Sequence, residues 1–187
     1  MRPPPARPGA GVAAIATPAL VIDLDALERN IERMAAFARE RGLRLRPHAK
    51  THKSAQIARM QIAAGAVGVC VQKVSEAEAL AAQGIADLYI SNEVVTEAAV
   101  ARVAALAGRV RLAIAADSAL GIDRLARAVQ AAGSTIDVFV EVDVGQGRCG
   151  VAPASAGGLA RRVVSHAGLR FAGLQAYHGG AQHIRAS

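Results

Sequence analysis

The sequence predicts an α/β fold of parallel strands, arranged as part of a (β/α)8 TIM-type barrel. Three observations point there. Short apolar runs alternate with longer amphipathic segments, and parallel neighbours need such crossover helices. The composition suits helices laid on a sheet: among 187 residues 52% are hydrophobic but only 3% aromatic, with no Trp, so the core packs from Ala, Val, Leu and Ile. Finally, polar side chains capable of chemistry recur just past the strands, at His48 and Lys50, Gln72, Asn92, Asp117, Asp143 and Tyr177. A barrel gathers those ends at one mouth, whereas a doubly wound sheet spreads them along an edge.

Taken in order, residues 1–16 read as a disordered tail, rich in Pro and Arg at the start, and 17–187 as one partial domain. Ala19–Ile22 reads as a short strand, followed by a helix from a capping-box-like Asp25 and Glu28 to about Arg41, stopped by Gly42. Leu43–Pro47 reads as the strand that delivers His48 and Lys50, and Ser54 opens a helix that Gly65 ends. Val67–Val71 is a buried strand. A second capping box, Ser75 and Glu78, opens the next helix, which Gly84 ends. The unit then repeats: strands at 87–90, 110–115, 136–142 and 171–176, with helices over about 96–106, up to 132, and 155–165 between them. Setting Ala19–Ile22 aside, that makes six strand units of the eight a barrel needs in roughly 250 residues.

The formal net charge of +7 invites a nucleic-acid reading, but arginines are interleaved with acids and stacking aromatics are scarce, so no nucleic-acid partner is expected. No apolar run is long enough to span a membrane. The run Val12–Ala16 passes into Pro18 without a signal-peptide cleavage pattern. Cys70 and Cys149 form no CxxC pair and read as two buried free thiols in a cytoplasmic protein.

One octapeptide stands out. Of 22 basic residues only Lys50, Lys53 and Lys73 are lysines, and two of them lie in Arg46-Pro47-His48-Ala49-Lys50-Thr51-His52-Lys53. Arginine stays charged, whereas a lysine amine can be pressed towards neutrality by burial and cationic neighbours and become a nucleophile. Gly145-Gln146-Gly147-Arg148-Cys149-Gly150 fits GxGxxG after a strand, but no acid follows about 20 positions on and Pro153 intervenes before the helix. It reads instead as a tight loop aiming Arg148 at the mouth. His178 and His183 lack the glutamate of HExxH and a third ligand nearby, so neither is assigned to a metal.

Four segments in order, namely Arg46–Lys53, Ser91–Val95, Asp143–Val151 and Gly173–His183, resemble the D-threonine aldolase and D-serine dehydratase family, from about Thr17 to the last residue. The resemblance implies an alanine racemase-like barrel that binds pyridoxal 5'-phosphate. It implies that Lys50 forms the Schiff base, that Arg148 approaches the cofactor's phenolic oxygen, and that Tyr177 lies against its ring, with His48 and Gln72 as further cofactor contacts. His183 is expected to bond a metal-bound water or the substrate hydroxyl. The implied reaction is retro-aldol cleavage of a D-3-hydroxy amino acid, D-threonine giving glycine and acetaldehyde. The alternatives are a D-serine dehydratase-type ammonia-lyase and a non-catalytic pyridoxal-phosphate-binding protein. A divalent metal ion, Mn or Zn, and a homodimer are expected only of a full-length enzyme. In that family Ala19–Ile22 would join a C-terminal β domain. That domain, the metal ligands and the last barrel strands are expected beyond residue 187, leaving this chain incomplete and inactive by itself.

Overall fold

A computed structural model of the chain describes residues 6–185. Six α-helices, α1 (Leu24–Glu40), α2 (Ala55–Ala63), α3 (Val74–Ala82), α4 (Glu97–Ala107), α5 (Ala119–Ala132) and α6 (Pro153–Ser165), accompany five strands. These are β1 (Val69–Val71), β2 (Asp87–Glu93), β3 (Arg111–Ala116), β4 (Ile136–Glu141) and β5 (Leu169–Gln175). The sheet order is β1-β2-β3-β4-β5 and every pair is parallel. An order that never reverses has no switch point, so the sheet is an arc of a barrel rather than a doubly wound sheet. Right-handed crossovers running one way place the helices on one face, and α3, α4, α5 and α6 do pack in succession.

Strand periodicity divides the side chains between two faces. One face (Val69, Val71, Leu88, Ile90, Leu112, Ile114, Val138, Val140) is buried against Val100, Val103, Ile122, Leu125, Val129 and Val163 of the helices. Burying each such side chain contributes about 1.5–3 kcal/mol. The other face carries Cys70, Tyr89, Ala113, Phe139 and Glu141, which point into the barrel interior. Tyr89 and Phe139 meet there with ring centroids 4.9 Å apart.

Two expected strands are not strands. Leu43–Pro47 runs parallel beside β1, with Val67 N donating to Leu45 O at 2.9 Å and Cys70 N to Pro47 O at 2.7 Å, but it makes only an isolated bridge, His48 with Cys70. Pro47 has no N–H to extend the ladder. Ala19–Ile22 has no strand neighbour among the described residues and Leu20 is 102% exposed. An unpaired extended segment leaves its backbone to water rather than to a ladder. The caps also differ from the expected ones. Asp23, not Asp25, caps α1 by accepting from Ala26 N at 2.9 Å. Before α3, Glu76 rather than Glu78 reaches back, its carboxylate accepting from Gln72 N (2.9 Å) and Lys73 N (3.2 Å). The cap of α2 is as expected, Ser54 accepting from Ile57 N. Helix α6 starts on Pro153 at its first turn, where a missing N–H costs nothing. The expected tail over 1–16 holds one 3-10 turn, Val12–Ala14, and residues 1–5 lie outside those described. Among the described residues no helix is long and apolar enough to cross a membrane.

Candidate active site

The extended segment 43–48 ends in a turn that presents Lys50. Ala49 is buried and donates to Cys70 O at 2.7 Å, and Lys53 N donates to Ala49 O at 2.8 Å to close the turn. Lys53 adopts a left-handed φ of +51°, uncommon away from glycine. Lys50 is left exposed on a cavity of about 380 Å³, within the range of small-molecule sites. The same cavity is lined by His48, Gln72, Arg148 and Tyr177, so five sequence-predicted residues meet there.

His48 has a defined tautomer. Its Nδ1 accepts from the Lys50 backbone N–H at 3.3 Å, so the proton sits on Nε2. Nε2 faces Ser91 Oγ at 3.3 Å, and the Ser91 hydroxyl donates onward to Val71 O at 3.3 Å. Burial, and then the charge of Lys50, hold the His48 imidazole below the ordinary histidine value. The two bases that follow Lys50 in the octapeptide are engaged elsewhere. Lys53 is drawn into an ion pair with Glu76, and His52 accepts from Ser54 N at 3.0 Å, with burial lowering its pKa.

The glycine-rich loop leaves β4 and returns to it. Val151 N donates to Glu141 O (3.0 Å) and Asp143 N to Val151 O (2.9 Å), closing the loop at its base. Asp143 accepts from Gly147 N (3.1 Å) and Gly145 N (2.9 Å), which in that order lower its pKa, and Asp117 accepts from Gly150 N at 3.2 Å. The loop amides are therefore already engaged by carboxylates, which argues against a dinucleotide phosphate site. At Gly150 (φ +98°) a Cβ would lie 2.6 Å from Asp143 N, so the close approach demands glycine. Arg148 emerges from this loop with its guanidinium over the Tyr177 ring, 4.9 Å from the centroid.

Three residues of the inner face were not foreseen. Glu141 accepts from Arg148 Nη2 at 3.4 Å and from the Gln175 side-chain amide, whose oxygen accepts from the Tyr89 hydroxyl. An acid ending an otherwise apolar strand was the available signal for Glu141. Ser91 opens the segment Ser91–Val95, next to Asn92, one of the polar residues noted past the strands.

His183 lies elsewhere. It ends the 3-10 turn Gly179–His183, is exposed, and contacts the neighbouring Gln182; it is not among the cavity-lining residues. Cys149 is half-buried rather than buried because it rides on the glycine loop. Its thiol, Glu93 and Asp117 bring donor atoms within 4.8 Å of one another. That set suits a metal poorly. Asp117 already accepts from Gly150 N, and burial, then Glu141, push Glu93 up to about 7, so near neutrality its carboxyl holds a proton much of the time.

The signature of the alanine racemase N-terminal domain matches residues 22–186. The chain belongs to that family. Within it, the chain is 49% identical over 184 residues to a D-threonine aldolase from Arthrobacter sp, covering 98% of this chain and 48% of the relative. It is 43% identical over 183 residues to a 3-hydroxy-D-aspartate aldolase from Paracoccus denitrificans (96% and 47%). Identity falls to 32% over 170 residues for the D-threo-3-hydroxyaspartate dehydratase of Delftia sp. (90% and 45%). The crystal structure of the D-threonine aldolase from Filomicrobium marinum superposes with a TM-score of 0.95 at 51% identity, covering 97% of this chain and 49% of that one. This alanine racemase N-terminal domain chain thus spans about half the length of the curated relatives it matches.

Proposed function

We propose that this chain is the front part of a pyridoxal 5'-phosphate-dependent lyase that cleaves D-3-hydroxy amino acids to glycine and an aldehyde. The observation that carries the reading is the single cavity onto which Lys50, His48, Gln72, Arg148 and Tyr177 all open. These residues fit the cofactor. Lys50 offers an exposed amine for covalent attachment, and Tyr177 a ring that is 47% exposed for stacking. Arg148 offers a guanidinium for an anionic oxygen. The cofactor, when bound, supplies an electron sink for the carbanion left by bond cleavage. The protein's part is to orient and tune. Burial, and then the charge of Lys50, disfavour a second positive charge on His48 beside the amine. The Arg148 guanidinium stands against the Tyr177 ring and fixes the charge on that side.

D-threonine is the substrate we favour, since the aldolases are the nearer relatives and the dehydratase the more distant one. A divalent cation, Mn or Zn, is proposed to polarise the substrate β-hydroxyl, with ligands outside residues 1–187 and His183 reaching its water. A cytoplasmic homodimer is the state proposed for the full-length protein. The test is borohydride reduction of the full-length protein with the cofactor, followed by peptide mass mapping, together with glycine release from D-threonine. A pyridoxyl label on Lys50, lost in Lys50→Arg with the glycine release, is the expected result. Glycine release undiminished in Lys50→Arg would overturn the assignment, and a label without glycine release would leave a pyridoxal-phosphate-binding protein.

A further inference from the structure

Glu141 is the only charged side chain among the described residues in the buried core, 2% exposed. A carboxylate so far from water must find donors, and the donors it finds form a directed chain. The Tyr89 hydroxyl donates to Gln175 Oε1, Gln175 Nε2 donates to Glu141 Oε2, and Arg148 Nη2 donates to Glu141 Oε1 at 3.4 Å. Strand register builds this chain: Glu141 is the direct partner of Gln175 in the β4–β5 ladder, and Tyr89 packs on Phe139, two residues before Glu141 on the same face.

We propose that Glu141 is a positioning residue for Arg148, holding the guanidinium over Tyr177 through a hydrogen-bond chain whose polarity is set from Tyr89. The proposal rests on the reading above, in which Arg148 faces the cofactor. Arg148 has little else to fix it. It sits on a loop with glycines at φ +65° (Gly147) and +98° (Gly150), its side chain is 43% exposed, and Glu141 is its ion-pair partner. The chain cannot be turned round. Rotating the Gln175 amide would set its oxygen against the carboxylate and leave the phenol proton without its acceptor. Burial first, then the neighbouring Cys70 and Glu141, raise the Tyr89 pKa and keep that proton in place. Glu141 is therefore the acceptor end of the chain.

Direction gives the test its specificity. Glu141→Gln would turn the single amide oxygen to the Gln175 N–H₂ and its own N–H₂ against the Arg148 guanidinium, disengaging Arg148. Adding Tyr89→Phe removes the phenol, frees Gln175 to rotate, and lets its oxygen accept from the new amide, so that the other oxygen can hold Arg148 again. The measurement is the phenylglyoxal modification rate of Arg148 in the full-length, cofactor-free protein, read by peptide mass mapping against Arg124 as internal reference. Glu141→Gln is expected to raise the rate about tenfold, the size of one charge-assisted hydrogen bond, and Glu141→Gln/Tyr89→Phe to bring it back towards the parent. A parent-like rate in Glu141→Gln, or no recovery in the double variant, overturns the proposal. If Glu141→Gln does not fold, Glu141→Asp, one methylene short of Arg148, is expected to raise the rate as well, and a parent-like rate there overturns it equally. Pyridoxal 5'-phosphate uptake is measured in parallel by visible absorbance. Failure of the parent to take it up sinks the proposed function and leaves the labelling result to decide Glu141 separately.

Discussion

The backbone N–H of Lys50 donates to His48 Nδ1 at 3.3 Å, and that bond fixes which nitrogen of the imidazole carries the proton. The amine-bearing residue thereby sets the state of its own neighbour. Ser91 completes the arrangement by facing Nε2 at 3.3 Å.

Ser91→Ala is expected to leave the half-buried His48 Nε2–H without an acceptor, at a cost of about 1–2 kcal/mol, while Ser91→Thr keeps the hydroxyl and most of the stability. Urea midpoints of the two variants measured side by side check this.

His48 and His52 both have lowered pKa values, chiefly from burial. In the window just below the ordinary histidine value of about 6.5 the unfolded chain binds more protons than the folded one. Their contribution to stability is present above that window and is lost as pH falls through it. The stability difference between the parent and His48→Gln/His52→Gln should therefore narrow or change sign on going from neutral to mildly acid solution. A pH-independent difference would contradict the assignment.

Glu93 has the opposite sign. Its carboxyl is pushed up to about 7, so the folded protein binds the extra proton, and its contribution is present at acid pH and lost as pH rises through that value. Glu93→Gln should stabilise the protein in alkaline solution and gain nothing in acid, as thermal melts at the two extremes would show.

Two glycines with positive φ should respond differently to alanine. Gly84 (φ +86°) has open space around its missing Cβ, whereas at Gly150 the Cβ would meet the Asp143 backbone at 2.6 Å. We expect Gly84→Ala to cost about 1 kcal/mol and Gly150→Ala about 3 kcal/mol or more, with the glycine loop displaced. Equal losses would refute the close approach.

Across the strand starts, Asp87 accepts from Arg46 at 2.7 Å and lies 3.6 Å from Arg111, and both its partners lose a counter-charge in Asp87→Asn. The expected loss is about 1–3 kcal/mol, against at most about 0.5 kcal/mol for Glu32→Gln in the exposed pair with Arg39, and double-mutant cycles measure each.

The alternation of elements and the gathering of Lys50, His48, Gln72, Arg148 and Tyr177 are legible in the sequence, because parallel strands need crossovers and barrel strands share a mouth. Register is not. The pairing of Glu141 with Gln175, and the reach of Tyr89 to that amide, depend on strands far apart in the chain, and nothing local announces them. Caps mislead for a simpler reason: acids at Asp23 and Asp25, and at Glu76 and Glu78, offer overlapping matches to one pattern, and backbone geometry selects between them. At Leu43–Pro47 an apolar alternation imitates a strand that Pro47 keeps from completing its ladder.

Gln146 Oε1 accepts from Gly179 N at 2.8 Å, tying the loop after β4 to the loop after β5. The guanidinium of Arg148 and the ring of Tyr177 thus ride on two pieces of backbone stapled to each other, and a shift of either loop carries the other with it. The two loops therefore bound that side of the cavity as one unit, and Glu141 is left to set where the guanidinium stands over the ring.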